Sequence, residues 1–466
     1  MLCAVFAKEN HRGMKMMEQT RKNAITEGVI WKQLLIFFFP ILIGSFFQQL
    51  YNTVDTVIVG RYVGKEALAA VGTTGNLINL LIGFFVGLSS GASVVISQYF
   101  GGQDFKKLNR SIHTALALAL AGSAVLTLVG FFAARPALRL IRVPEEVLPQ
   151  ALTYIRIIFL GVTGAMLYNI GTGILRALGD SRFPLYVLII CCVINIVLDL
   201  LFVMAFHWDV MGVALATAIA QFVSAVVIVL KLMRLDDSYR LEIPKIRFHP
   251  AILKNIIRIG IPAGIQSVLY SVSNLVVQSA INAFGTNTIA AWSAISRVDG
   301  FVWMVLGAFG VSITTFAGQN FGAGKYDRVL KGTNVCLLMS QGTIILLSVI
   351  EIIFAAPILR FFTNDEAVVS LGTKFAMIWA PAYMLYVFIE IYSAAIRGTG
   401  EALIPTVITL VGVCGLRLLW VFAVVPFWHE PQALAACYPV TWGVTAVIFI
   451  IYYWRKRWLR RGMNHQ

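Results

Sequence analysis

Long apolar runs are the feature that most restricts how this chain can fold. One of them, PLYVLIICCVINIVLDLLFVMAF, begins at Pro184 and contains a single charged residue, Asp199. A helix needs about 20 predominantly apolar residues to cross the hydrocarbon core of a bilayer. Only 13% of all residues are charged, against about 25% in an ordinary soluble domain. The main body of the protein is therefore not a soluble enzyme, a secreted disulfide scaffold or a nucleic-acid-binding domain.

Twelve such runs, separated by glycine, proline and charged residues, predict twelve transmembrane helices. They lie near residues 33–60, 67–92, 109–133, 150–174, 183–206, 210–234, 252–282, 288–317, 332–356, 369–396, 403–427 and 432–455. The short alternating strands of a membrane barrel do not occur in the sequence. The predicted fold is an all-α polytopic membrane protein.

Basic residues predict the orientation of these helices. The chain has 37 Lys and Arg against 22 Asp and Glu, a net charge of +15. Most Lys and Arg lie in the tails, 1–31 and 456–466, and in the even-numbered loops, and such an excess marks the cytoplasmic side. We expect both termini in the cytoplasm of a bacterial-type inner membrane. Because the charge flanks membrane spans, we expect the lipid bilayer as a partner and no nucleic acid.

The sequence repeats once along its length. Residues of the first half resemble those 221 positions later, as where QYFGG at Gln98 pairs with QNFGA at Gln319. Each half has an even number of helices, so both insert in the same orientation, a parallel repeat known from secondary transporters. We expect two six-helix bundles, an N-lobe (32–234) and a C-lobe (252–455), joined by a polar loop (235–251) and facing a central cleft.

Polar residues inside the spans indicate where function lies, because ionisable groups in a bilayer are costly. Asp55, Asp199 and Thr217 all lie about 8–10 Å below the outer surface, at about 1.5 Å per residue. Asn195 is one helical turn from Asp199, on the same face. Two neighbouring carboxylates in a low dielectric resist being ionised together. The group therefore fits a site that binds a proton or Na⁺, the alternative being structural ties between helices.

Comparison of the two halves of the repeat shows that only the first half has these polar residues. The equivalent positions in the second half are Val277, Leu416, Trp420 and Tyr438. None of them is acidic, whereas supporting contacts would be expected in both bundles. We predict that ion coupling is confined to the N-lobe.

Other polar residues lie deep in the C-lobe. Asp299 and the arginines Arg297 and Arg417 are about nine to eleven residues from the outer ends of their predicted spans. They fit either a neutralising pair of Asp299 with one arginine or contacts to a substrate. Glu390 fits a cation site or an ion pair with Arg397.

Two further charged residues, Glu351 and Arg156, lie near enough to span ends to reach the interface by snorkelling. Aromatic and thioether side chains offer an adaptable lining for the cleft. The candidate lining residues of this kind are Tyr51, Trp292, Trp303 and Met304, and Gln48 is a polar candidate beside them.

Several kinds of chemistry have no signature in the sequence. There is no GxxxxGK[ST] loop for ATP, no HExxH and no Ser/His/Asp arrangement. The cysteines lack metal-ligand spacing, so we expect free, buried thiols. We predict a protein that is not an enzyme and has no cofactor other than H⁺ or Na⁺ as coupling ion.

Several segments resemble the multidrug and toxic compound extrusion (MATE) transporters. They are FPILIGSFFQQLYNTVDTVIVGRYVGKEALAAVG, ISQYFGGQDFKK, AGQNFGAGKYDRV, LRALGDSRFP and IRGTGEALIP. The resemblance extends from about Lys32 to Arg455. It implies a two-lobed, twelve-helix antiporter that exports drugs or other organic compounds in exchange for H⁺ or Na⁺.

The resemblance also assigns residues. Asp55 matches the first-helix aspartate of the family, and Asn195 and Asp199 match the N-x-x-x-D pattern of its DinF-like branch. Thr217 matches the sixth-helix threonine of that branch, and Asn169 a polar position of the fourth helix.

One position departs from the NorM-like branch, which has a glutamate on its seventh helix where this chain has Tyr270. Two alternatives to drug export stay open. Arg297 and Arg417 would suit a flippase of a lipid-linked precursor, and a membrane scaffold without transport is the other alternative.

Overall fold

The computed structural model describes residues 25–141 and 143–459, apart from the side chain of Asn76. All regular structure in these ranges is helical, and twelve helices are long and apolar enough to cross a membrane. The predicted all-α, twelve-helix fold is confirmed. The tails lie largely outside the described residues.

The helices are numbered in chain order. The N-lobe contains α1 Ile30–Val63, α2 Lys65–Gly101, α3 Phe105–Leu140, α4 Leu148–Ala177, α5 Arg182–Ala205 and α6 Asp209–Met233. The C-lobe contains α7 Pro250–Asn282, α8 Thr286–Gly322, α9 Tyr326–Phe362, α10 Glu366–Gly398, α11 Leu403–Ala423 and α12 Pro431–Trp454. The side of the bilayer where α1 begins and α12 ends is called the terminal side, and the other the distal side.

Several helices are longer than their apolar runs. α2 continues to Gly101 and α9 to Phe362, whereas the hydropathy pattern ended at 92 and 356. α3 begins earlier than predicted, at Phe105, where Asp104 caps it by accepting a hydrogen bond from the backbone N–H of Lys107. Hydropathy detects the part of a helix that lies in lipid, while backbone hydrogen bonding continues through polar residues.

Each lobe has one helix at its centre. In the N-lobe, α4 packs along α2, α3 and α6, while α1 packs along α5. In the C-lobe, α10 packs along α8, α9 and α12. The first helix of each lobe also crosses to the other lobe, so that α1 packs on α8 and α7 on α2.

The two crossing contacts differ in packing. On α2, a Cβ at Gly87 would overlap the backbone of Gly264, and one at Gly91 would lie 2.5 Å from the carbonyl oxygen of Ile256. Small residues at this spacing let helix backbones approach closely in membranes. The α1–α8 contact instead stacks Phe38 on another phenylalanine, Phe309, with ring centroids 4.1 Å apart.

The lobes are joined at the terminal side by two equivalent hydrogen bonds. The amide of Gln98 on α2 donates to the carbonyl of Gly398 at 2.9 Å, and Gln319 on α8 donates to the carbonyl of Ala177 at 2.7 Å. The 221-residue repeat relates one bond to the other. We call this pair of bonds the terminal lock.

Glycines show where α2 and α8 separate. Near the lock, a Cβ at Gly101 would overlap the backbone of Gln319. Toward the distal side, no atom lies within 4 Å of a Cβ built at Gly75 or Gly300. The cleft between the lobes is therefore closed at the terminal side and open at the distal side.

Candidate functional site

Two buried carboxyl groups meet in the N-lobe. Asp55 on α1 is 8% exposed and Asp199 on α5 is 0% exposed. The two groups are close enough to interact electrostatically, and two carboxylates this close in a low dielectric resist being ionised together. We call Asp55 and Asp199 the N-lobe acid pair.

Helix packing and local helix geometry place this pair. α1 and α5 are neighbours, with Gly44 of α1 facing Leu188 of α5. Within four residues after each aspartate the helix widens into a π-turn, at Val59–Val63 and at Leu201–Ala205. Such turns often occur at functional sites. Apolar residues of both turns pack together above the pair, on its distal side.

Several polar atoms here have no hydrogen-bond partner among the residues described. They are Asp55 Oδ1, both carboxylate oxygens of Asp199, Oδ1 and Nδ2 of Asn195, and Oγ1 of Thr217. Asn195 is fully buried. A buried polar group left unpaired costs about 1–3 kcal/mol, so this concentration of free donors and acceptors indicates a site built for a ligand.

Hydroxyl groups complete the surroundings of the pair. Tyr51 on α1 lies beside the hydroxyl of Thr217 on α6, and both Tyr51 and Tyr154 on α4 are close enough to Asp55 to interact electrostatically. Sequence reasoning missed Tyr154. The depth of Tyr154 was a usable signal. Tyr154 lies six residues from the start of α4 at Leu148, and Asp199 lies six residues from the end of α5 at Ala205.

The structure thus brings together Tyr51, Asp55, Asn195, Asp199 and Thr217. It does not bring Asn169 to them. Asn169 lies 15 residues beyond Tyr154 on α4, roughly 22 Å further along the helix axis. Gln48 is exposed, two turns before Asp55 on α1.

The C-lobe contains a cluster of aromatic side chains, Trp303, Tyr386 and Trp442, which we call the aromatic wall. Trp303 on α8 contacts Tyr386 of α10 and Trp442 of α12 edge-on, with ring centroids 4.7 and 5.9 Å away. The hydroxyl of Tyr270 lies 3.3 Å from that of Tyr386, so the two phenols form a pair. Trp303 is 37% exposed and presents the aromatic wall to the cleft.

One face of α8 lines the cleft. Its distal half carries a stripe of exposed or half-buried residues, Arg297, Gly300, Met304 and Gly307. The same stripe continues to Gly318, which packs on Ser97 of α2. Residues three or four apart share a helical face, so Arg297 and Met304 lie on the face of α8 that packs on α2 further along.

Trp292 does not line the cleft. It is 6% exposed and packs edge-on against Trp379, with centroids 4.5 Å apart. The expectation was wrong because Trp292 lies on the face of α8 that turns toward α10, which the apolar pattern of a membrane helix does not reveal.

Of the two alternatives for these residues, the neutralising pair of Asp299 with Arg297 or Arg417 is not found among the described residues. Asp299 accepts a hydrogen bond from the hydroxyl of Tyr383. Arg417 donates to the side-chain oxygen of Asn274 at 3.0 Å and lies over the ring of Tyr438. Each group already has a neutral partner, and among the described residues neither forms an ion pair within 4.0 Å.

Glu390 lies between the aromatic wall and the terminal side. A Cβ at Gly310 of α8 would overlap its carboxylate, and it interacts electrostatically with Arg397 and with the hydroxyl groups of Tyr270 and Tyr386. It is half-buried.

The snorkelling prediction for Glu351 was wrong. Its side chain is 3% exposed, and both carboxylate oxygens lack a partner among the described residues. Because α9 ends at Phe362 rather than at 356, Glu351 is eleven residues from the helix end, roughly 16 Å. Arg156 places its guanidinium over the ring of Phe131, 4.9 Å from the centroid.

The cysteines in the described ranges are free and buried, as expected. They are Cys191, Cys192, Cys336, Cys414 and Cys437. Cys3 lies outside the described residues.

The chain is similar to known proteins over nearly its whole length. A family profile described as MatE matches residues 40–201 and 262–422. The probable multidrug resistance protein YoeA of Bacillus subtilis is 29% identical over 445 residues, covering 93% of this chain and 96% of that protein. The multidrug export protein MepA of Staphylococcus saprophyticus is 22% identical, covering 84% and 87%.

A solved structure shows the same fold. A transporter of the MOP superfamily from Pyrococcus furiosus superposes with a TM-score of 0.87 at 22% sequence identity. The superposition covers 94% of this chain and 98% of that one.

Proposed function

Because this chain belongs to the MatE family, the multidrug and toxic compound extrusion transporters, we propose that it exports organic cations in exchange for H⁺ or Na⁺. The N-lobe acid pair binds the coupling ion. The terminal side is the cytoplasm, in agreement with the distribution of Lys and Arg.

The observation that carries the proposal is the set of buried, unpartnered polar atoms at Asp55, Asn195 and Asp199. None of the ion pairs in the described ranges involves these acids, so no side-chain cation neutralises them. Two carboxylates this close cannot both be charged in a low dielectric. The pair therefore binds a proton, or gives it up to Na⁺ coordinated by carboxylate and amide oxygens.

The side on which the cleft is open indicates how substrate is exchanged for the coupling ion. In the distal-open state the ion enters from outside and substrate leaves to the same side. The lobes then close at the distal side, the terminal lock opens, and the ion leaves to the cytoplasm. An ion drives this change only if it binds the two states with different affinity.

The aromatic wall favours organic cations as substrates. Aromatic faces attract cations within about 6 Å of the ring centroid, and Trp303 is exposed beside Tyr386 and near Glu390. Arg417 already has Asn274 and Tyr438 as partners, so it adds little attraction for an anion.

Arg297 favours the second candidate, a flippase of an anionic lipid-linked precursor, because it is exposed on the cleft-facing stripe of α8. The two candidates differ in substrate charge. They share the N-lobe acid pair as coupling site.

Reconstitution into liposomes tests both. Independent pH and Na⁺ gradients are imposed, and efflux of a panel of fluorescent cationic dyes is followed. We expect one gradient to drive dye export in the wild type and neither to do so in Asp55→Asn or Asp199→Asn. Glu66→Gln, an exposed acid at the start of α2, is the matched control and keeps full export. Gradient-driven export by both aspartate variants contradicts the coupling site, and transport of an anionic lipid analogue without dye export supports the flippase.

A further inference from the structure

The C-lobe contains a second pair of buried acids at positions unrelated to the first. Asp299 on α8 and Glu351 on α9 are 7% and 3% exposed. Their repeat equivalents in the N-lobe are Ile78 and Gly130. The second pair is therefore not a remnant of the duplication that produced the two lobes, and it needs its own explanation.

Three helices bring this pair together. The hydroxyl of Tyr383 on α10 donates to Asp299, and Glu351 is close enough to both residues to interact with them electrostatically. The hydroxyl of Ser348 on α9 donates to the carbonyl of Ala380 on α10 at 2.7 Å, which fixes the register of the two helices beside the pair.

The charges around the pair leave it uncompensated. The titratable groups that face it are Tyr383 from α10 and Tyr438 from α12, both phenols. Arg417 lies over the ring of Tyr438 and donates to the side-chain oxygen of Asn274. No Lys or Arg in the described ranges lies within 4.0 Å of either acid.

Glu351 is buried without a partner among the described residues that would compensate its charge. Its side chain is almost fully buried, yet both of its oxygens lack a donor. A buried carboxylate without a partner is strongly disfavoured in its charged form, whereas a carboxylic acid is neutral. A proton on Glu351 therefore removes an uncompensated charge close to Asp299.

We propose that Asp299, Tyr383 and Glu351 form a second proton-binding site, independent of the N-lobe acid pair. Tyr383 holds Asp299 as the acceptor, and the exchangeable proton resides on Glu351. This inference rests on the proposed function as a cation exporter and adds a second exchangeable ion to it.

The site is connected to the cleft through Trp303. This residue follows Asp299 by one helical turn and contacts the ring of Tyr383 edge-on, with centroids 6.5 Å apart. An organic cation bound against Trp303 attracts negative charge at Asp299 and Glu351 and promotes loss of the proton. Proton binding and substrate binding at this wall therefore oppose each other.

Infrared spectroscopy of the purified full-length protein tests the site without relying on transport. The Asp55→Asn/Asp199→Asn variant serves as the parent, so that the N-lobe acid pair contributes no signal. We expect a carboxylic-acid C=O band at neutral pH that disappears in Glu351→Gln. Glu366→Gln, an exposed acid, is the control and leaves the band unchanged.

A second variant guards against misfolding. Tyr383→Phe keeps the ring packing and removes the donor to Asp299, and we expect it to shift the C=O band rather than remove it. A band that is the same in the parent, Glu351→Gln and Tyr383→Phe overturns the proposal, as does the absence of any such band in the parent.

Proton release on adding tetraphenylphosphonium to the same parent, in weak buffer, tests the link to the cleft. We expect release in the parent and none in Glu351→Gln. Equal release in both variants, or binding of the probe without release in the parent, overturns the link. Failure of the proposed function would appear instead as unchanged gradient-driven export in Asp55→Asn and Asp199→Asn, a separate measurement.

Discussion

The two lobes share a framework and differ in how they bury acids. In the N-lobe, Asp55 and Asp199 lie near the distal ends of neighbouring helices, beside π-turns and a buried amide. In the C-lobe, Asp299 and Glu351 lie closer to the middle of their helices, next to a phenol donor and an aromatic wall. Duplication has supplied two bundles, and each has acquired its own polar chemistry.

The contact between the lobes has stayed symmetric. Gln98 and Gln319 occupy equivalent positions and donate to equivalent carbonyls, those of Gly398 and Ala177. Closure of the terminal side uses one hydrogen bond from each lobe, whereas binding of a coupling ion needs a site in only one lobe. The framework is therefore constrained by symmetry and the buried acids are not.

The largest effect is expected from adding a methyl group at the lock. A Cβ at Gly101 or at Gly322 would overlap the backbone of the opposite glutamine, and forcing extra volume into a packed contact costs about 1–3 kcal/mol or more. We expect Gly101→Ala and Gly322→Ala to lose export to a similar degree, measured as dye efflux. Gly75→Ala, beside open space on α2, is the control. A strong loss in only one of the two lock variants contradicts the symmetry of the contact.

A smaller effect is expected from removing one hydrogen bond of the lock. Gln98→Leu or Gln319→Leu leaves one carbonyl unpaired, at a cost of about 1–3 kcal/mol. The distal-open state should lose roughly tenfold or more in population, because 1.4 kcal/mol is a factor of ten. Labelling of a cysteine introduced at Asn255, which lines a pocket at the terminal side together with Gln98 and Gly322, measures this opening. If the cysteine stays as protected from labelling in both variants as in the wild type, the terminal lock does not stabilise the distal-open state.

Tyr154→Phe should act only on the N-lobe. It removes one hydroxyl that is close enough to the acid pair to interact electrostatically, and a neutral polar interaction of this kind is worth about 0.5–1.5 kcal/mol. We expect a loss of coupling-ion affinity of roughly two- to tenfold, read from the ion concentration that gives half-maximal export. The carboxylic-acid band of Glu351 should stay the same, and a change in that band would show that the two sites are not independent.

The smallest effect is expected at Asn169. Because it lies roughly 22 Å along α4 from Tyr154, Asn169→Ala should leave ion affinity unchanged in the same export assay. A loss of ion affinity comparable to that of Asp199→Asn would show that Asn169 belongs to the coupling site.

Features that lie along one helix were accessible from the sequence. The twelve spans follow from apolar length, and the depths of Asp55, Asp199 and Thr217 follow from counting residues to the span ends. Features that depend on packing or on true helix ends were not. Glu351 was misjudged because α9 continues past its apolar run, and Trp292 because its orientation depends on α10.

Simultaneous recording of dye export and coupling-ion flux tests the central claim most directly. Wild-type protein in liposomes should move dye and ion in a fixed ratio across a range of imposed gradients. Asp199→Asn should abolish the ion flux that accompanies dye movement and leave at most downhill leakage of dye. An unchanged ratio in Asp199→Asn would show that the N-lobe acid pair does not bind the coupling ion.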